Sequence, residues 1–131
     1  MAHILVIDDD ASLRGLLAEA LRSAGHVVTP AADGLEGAQL YRANPADVVL
    51  CDIVMRHSGL TLIRILKEQY PDIRIIAISG AEPHRLDYAL ASGALCALRK
   101  PFALSELVKT VEQVLALPAG AAAATNDKRP A

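Results

Sequence analysis

The run Asp47-Val48-Val49-Leu50-Cys51-Asp52-Ile53-Val54-Met55 decides how this chain is read. Its apolar residues are consecutive rather than alternating, the pattern of a strand buried on both faces, as in a parallel sheet. A carboxylate inside such a strand is costly to desolvate without a partner. The strand is therefore expected over Asp47 to Cys51, with Asp52 ending it. The Asp52 side chain then stands at a sheet edge, where a cation or a chemical group can meet it.

Working outward, Ile4-Leu5-Val6-Ile7 is a similar run, stopped by Asp8-Asp9-Asp10. Leu13, Leu16, Leu17, Ala20, Leu21 and Ala24 follow at helical spacing, with Arg14, Glu19 and Arg22 off the stripe. Asp9 or Asp10 is placed to cap that helix and Gly25 to end it. His26 to Thr29 reads as a second strand and Ala32-Asp33-Gly34 as a turn. Leu35 to Ala43 reads as a helix that stops before Pro45. Beyond the polar loop Arg56-His57-Ser58-Gly59, Leu60, Ile63, Ile65 and Leu66 form a third helical face. Ile73 to Ile78 is a fourth strand, stopped by Ser79-Gly80, and Leu86, Ala89 and Leu90 mark a short helix. Ala94 to Leu98 is a weak fifth strand, stopped by Arg99-Lys100-Pro101. Leu104, Leu107, Val108, Val111 and Leu115 make the last helix.

Five rounds of strand then helix predict an α/β fold: a doubly wound, five-stranded parallel sheet, helices on both faces, crossovers right-handed. One domain is expected over residues 1–117, with a flexible Ala/Pro-rich tail over 118–131.

The bulk numbers narrow the function. With 53% hydrophobic residues but 3% aromatic, the core must be aliphatic. A net charge of -2, from 13 basic and 15 acidic residues, gives no field to attract nucleic acid or an anionic membrane. Cys51 and Cys96 form no CxxC pair and read as core thiols of a reducing compartment. No apolar run is long enough to span a bilayer. A cytoplasmic protein is expected, without membrane contact and without direct DNA binding.

In an open parallel α/β sheet, ligands gather at the carboxyl ends of the strands. Here those ends carry Asp8, Asp9, Asp52, Ser79 and Lys100. Carboxylates in one cleft repel one another, and a hard cation removes the conflict. Oxygen ligands without His or Cys favour Mg²⁺. A phosphoryl group completes such a site, since Mg²⁺, Lys100 and Ser79 can each meet one of its oxygens. There is no GxGxxG motif and no P-loop after the first strand, no ordered Ser-His-acid set, and His3, His26, His57 and His84 are scattered.

Together, Ile4 to Asp10, Asp52, Ser79-Gly80 and Lys100-Pro101-Phe102 resemble the receiver domain of two-component response regulators, of the chemotaxis-regulator type, over about residues 3–117. The resemblance implies a flavodoxin-like sheet of order 2-1-3-4-5. It implies that Asp52 is the phosphoacceptor, loaded by a histidine kinase or phosphotransfer protein in a phosphorelay. Asp9 would be the direct Mg²⁺ ligand beside Asp52, Asp8 a ligand through water, and the backbone carbonyl of Val54 a further one. Lys100 would pair with the phosphoryl group, Ser79 would hydrogen-bond it and draw its loop inward, and Gly80 would leave room. A cis Lys100-Pro101 bond is also implied. The protein would be a non-enzymatic, stand-alone signalling module that acts through a protein partner, as a monomer or weak homodimer.

Two departures stand out. The family loop usually has proline four residues after the acceptor and glycine eight after; here Arg56 stands at the first place and Gly59 is seven residues on. The usual aromatic switch position is Ala97, so an aromatic flip cannot report movement of Ser79. Both departures motivate an alternative: a receiver-like interaction module that works without phosphorylation. A dehalogenase-like phosphatase wants a second Asp two residues after the nucleophile, where this chain has Val54.

Overall fold

The computed structural model describes residues 1–55, 58–80 and 84–118. Ten elements alternate: β1 (His3–Ile7), α1 (Ala11–Ser23), β2 (Val27–Ala31), α2 (Gly34–Ala43), β3 (Val48–Asp52), α3 (Gly59–Gln69), β4 (Ile75–Ser79), α4 (His84–Ser92), β5 (Cys96–Arg99) and α5 (Leu104–Leu115). All strand pairs are parallel and the sheet order is β2-β1-β3-β4-β5, as expected. The Arg56-His57 loop and the tail over 119–131 lie outside the described residues.

The consecutive apolar runs are explained by two core layers. Successive strand residues point to opposite faces. Ile4, Val6, Val48 and Leu50 pack under α1 and α5, with Leu17, Leu21, Leu107 and Val111. Leu5, Ile7, Val49 and Cys51 pack on the other face with Tyr41, Ile63 and Leu66 of α2 and α3. Ile65 turns outward and is 45% exposed, so it does not belong to the buried face of α3 as its spacing suggested. Helix starts follow local chemistry: Asp10 accepts from the amides of Ser12 and Leu13, Asp33 from Glu36, and Ser58 from Thr61.

Several boundaries move from expectation. His26 precedes β2 instead of opening it. It is buried, its Nδ1 accepting the Ala2 amide at 3.2 Å and its Nε2–H donating to Glu112 of α5 at 2.9 Å. β2 runs on through Pro30 to Ala31, which an edge strand tolerates because one side of its ladder is unpaired. β4 and β5 begin two residues later than their apolar runs. Asp52 lies inside β3 as its last residue, opposite Ile78.

Arg74, just before β4, closes the C-terminus of α5. Its guanidinium donates to the carbonyls of Val114, Leu115 and Leu117 at 2.8, 3.2 and 2.8 Å. Carbonyls at a helix end are short of amide partners, and one planar fork serves all three, the Val114 carbonyl also taking the Leu117 amide at 3.1 Å. Arg74→Ala should lower unfolding free energy by about 2 kcal/mol, read as a lower urea midpoint at unchanged slope. An unchanged midpoint would remove this clamp from the account.

Candidate functional site

Strand order reverses at β1: the chain leaves it toward β2 on one side and returns as β3 on the other. Ile7 pairs with Cys51, so the next residues, Asp8 and Asp52, face each other across the crevice at this switch point. Both are buried, at 0% and 2% exposure. Asp52 ends its strand, as expected, and a cation meets it there, but in a buried position. The carboxylate is buried and tolerated because it is paired: Lys100 Nζ donates to its Oδ2 at 2.8 Å and the Val54 amide to its Oδ1 at 2.8 Å.

Asp8 is less well provided. Its Oδ1 accepts the Asp10 amide at 2.9 Å, while its Oδ2 is buried without a hydrogen-bond partner among the described residues. Burial pushes its carboxyl up to about 6, against the Asp10 amide and with the Asp52 charge adding to the rise. A buried, orphaned carboxylate oxygen beside a second carboxylate fits a cation. The donors are oxygens, which suits a hard ion. Among the described residues, no three His, Cys, Asp or Glu side chains are gathered into a ready cage. Mg²⁺, which takes one or two carboxylates and keeps several waters, fits that arrangement better than zinc does.

The remaining expected residues sit around this pair. Asp9 is exposed and lines a groove of about 560 Å³ with Asp33, Leu35, Met55, Ser58 and Ile65. Val54 lies two residues after Asp52 and is 52% exposed. Ser79 is fully buried at the end of β4, and its hydroxyl donates to the Gly80 carbonyl at 3.3 Å. Among the described residues, a Cβ at Gly80 would have nothing within 4 Å. The Lys100 amide bonds the Ser79 carbonyl at 2.8 Å, and Lys100-Pro101 is cis. Ala97 is half-buried against the layer that holds Ala77 and Ala89.

Two residues escaped the sequence reading. Arg14 appeared as a solvent-side charge of α1, yet its Nη1 donates to the Asp8 carbonyl at 2.7 Å. Its place one turn into a helix that opens on Asp10 was the available signal. Gly59 was noticed only for its spacing. Its Cα packs so close to β3 that a Cβ would lie 2.4 Å from the Asp52 carbonyl oxygen.

Comparison with known proteins bears on this geometry. Residues 4–112 match the family model described as response regulator receiver domain. The sensor kinase CckA of Brucella abortus is 35% identical over 118 residues, covering 87% of this chain and 12% of that protein. The DNA-binding transcriptional regulator NtrC of Azospirillum brasilense is 37% identical over 129 residues, covering 92% of this chain and 27% of that protein. The chain thus spans a minor part of both. The receiver domain of the Francisella response regulator 1452 superposes with a TM-score of 0.82 at 29% identity, over 88% of this chain and 97% of that one. The Vibrio cholerae chemotaxis protein CheY4 does so with 0.81 at 31% identity, over 87% and 98%. Among the described residues, no helix is long and apolar enough to cross a membrane.

Proposed function

Because the chain belongs to the response regulator receiver domain family of two-component systems, we propose that Asp52 accepts a phosphoryl group from a phosphohistidine of a kinase or phosphotransfer protein. The observation that carries this reading is the Lys100–Asp52 pair at 2.8 Å, set in the switch-point crevice beside an Asp8 Oδ2 that has no partner among the described residues. A carboxylate oxygen of Asp52 bonds to phosphorus while the bond from phosphorus to the histidine nitrogen breaks, and the electron pair leaves with the imidazole. Lys100 offsets the repulsion between a carboxylate and an anionic phosphoryl group. The Val54 amide holds Asp52 Oδ1 in place for the attack.

Asp9, Asp52 and the Val54 carbonyl would hold Mg²⁺ directly and Asp8 through a water, and the ion when bound neutralises charge on the transferring group. The product adds about -2 charge at this cluster. Ser79 can then exchange its long bond to the Gly80 carbonyl for one to a phosphoryl oxygen, drawing in the segment after β4. With Ala97 in the layer below, backbone and loop shifts carry the signal to a protein partner.

The test is incubation with acetyl phosphate, with and without Mg²⁺, followed by intact mass. A gain of one phosphoryl group is expected only with Mg²⁺, and not in Asp52→Asn. No gain, or a gain that survives in Asp52→Asn, would overturn the reading, the former in favour of a module that works without phosphate.

A further inference from the structure

We propose that Arg14 is a positioning residue for the metal-binding loop, setting how well Asp8 and Asp9 hold a divalent cation. The inference rests on the reading of that loop as a Mg²⁺ site.

Asp8 is the first residue beyond β1, where the ladder can no longer supply both of its peptide groups with partners. Its amide reaches the Ala31 carbonyl of β2 at 3.1 Å. Its carbonyl is taken by Arg14 Nη1 at 2.7 Å, a short, charge-assisted bond from a half-buried side chain. That carbonyl belongs to the peptide plane joining Asp8 to Asp9. Rotating the plane swings the Asp9 Cα and redirects its carboxylate, so a fixed carbonyl fixes where Asp9 emerges.

Further bonds hold the loop by other groups. The Asp10 amide holds the Asp8 carboxylate through Oδ1 at 2.9 Å, and Asp10 caps α1 through the amides of Ser12 and Leu13. The first spans the Asp8–Asp9 peptide from the side-chain side and the cap acts beyond it; neither takes hold of the Asp8 carbonyl. Arg14 closes the ring from the helix side: its own amide bonds the Asp10 carbonyl at 2.8 Å while its guanidinium returns to Asp8. The cation is spent on a backbone oxygen, which leaves Asp8 Oδ2 for a metal instead of locking it in an ion pair. Outer groups that orient ligands are commonly worth about 10–100-fold in metal affinity.

The test compares wild type, Arg14→Met, which keeps the aliphatic stem and removes the donors, and Arg14→Lys, which restores a cationic donor. Mg²⁺ is titrated without phosphodonor and followed by the backbone amide shifts of Asp9 and Asp10. The rate of phosphoryl uptake from acetyl phosphate is measured over the same Mg²⁺ range. Arg14→Met should weaken Mg²⁺ binding by about tenfold or more, with uptake recovering toward wild type at saturating Mg²⁺ and Arg14→Lys rescuing much of the affinity. Wild-type Mg²⁺ affinity in folded Arg14→Met, with or without lowered stability, would overturn the positioning role. If Arg14→Met does not fold, Arg14→Gln is judged by the same criterion. A wild-type protein that binds no Mg²⁺ would instead sink the reading of the site itself.

Discussion

Gly59→Ala is expected to cost about 3 kcal/mol of stability and to slow phosphoryl uptake at Asp52 by about 100-fold. The added Cβ would meet the Asp52 carbonyl oxygen at 2.4 Å, the Ile53 Cα at 2.6 Å and the Asp52 carbonyl carbon at 3.1 Å. All three are backbone atoms, so no side chain can swing aside. Either the start of α3 lifts off β3 or the end of β3 shifts. The first loses the packing beneath Ile63 and Leu66, both fully buried. The second displaces the carboxylate that Lys100 and Val54 hold. No left-handed backbone angle is involved, since positive φ occurs only at Gly25 and Gly93 among the described residues. Urea denaturation and the uptake rate check both parts. A variant as stable and as reactive as wild type would show that the short loop has slack.

Removing the two members of the Asp52–Lys100 pair should have opposite effects on stability. Lys100→Ala leaves a carboxylate that is 2% exposed facing Asp8 without its cation. Breaking a fully buried pair is costly, but the Lys100 side chain is 35% exposed and water can replace part of it. A loss of about 1–2 kcal/mol is expected. Asp52→Asn removes a charge that burdens Asp8, and its amide oxygen can still accept from Val54. That variant should be at least as stable as wild type without metal. Phosphoryl uptake should fall by about 100-fold in Lys100→Ala and vanish in Asp52→Asn. Urea unfolding in EDTA separates the cases, and equal destabilisation by both substitutions would contradict the electrostatic account.

The alternation of apolar runs with helical stripes was enough to place five strands, their parallel pairing and two helical layers, because burial on both faces writes itself into consecutive residues. The caps at Asp10, Asp33 and Ser58 were within reach for the same reason: each satisfies amides two or three residues away. Asp8, Asp9, Asp52, Ser79 and Lys100 were legible as strand-end residues. His26 was misread as strand because its partners, Ala2 and Glu112, are 24 and 86 residues distant. Arg74 gave no sign of its hold on α5 across some 40 residues.

By itself the sequence determined which residues arrive at the crevice, since hydrophobic periodicity is a local property of the chain. Only the tertiary structure decided how Asp52 is met. Asp52 proved to be inside its strand and buried, with Lys100 on one oxygen, Val54 on the other and Gly59 pressed against its carbonyl. Those relations are distances between residues up to 48 positions apart. They follow from how twisted, packed elements bring their ends together, which no spacing along the chain records.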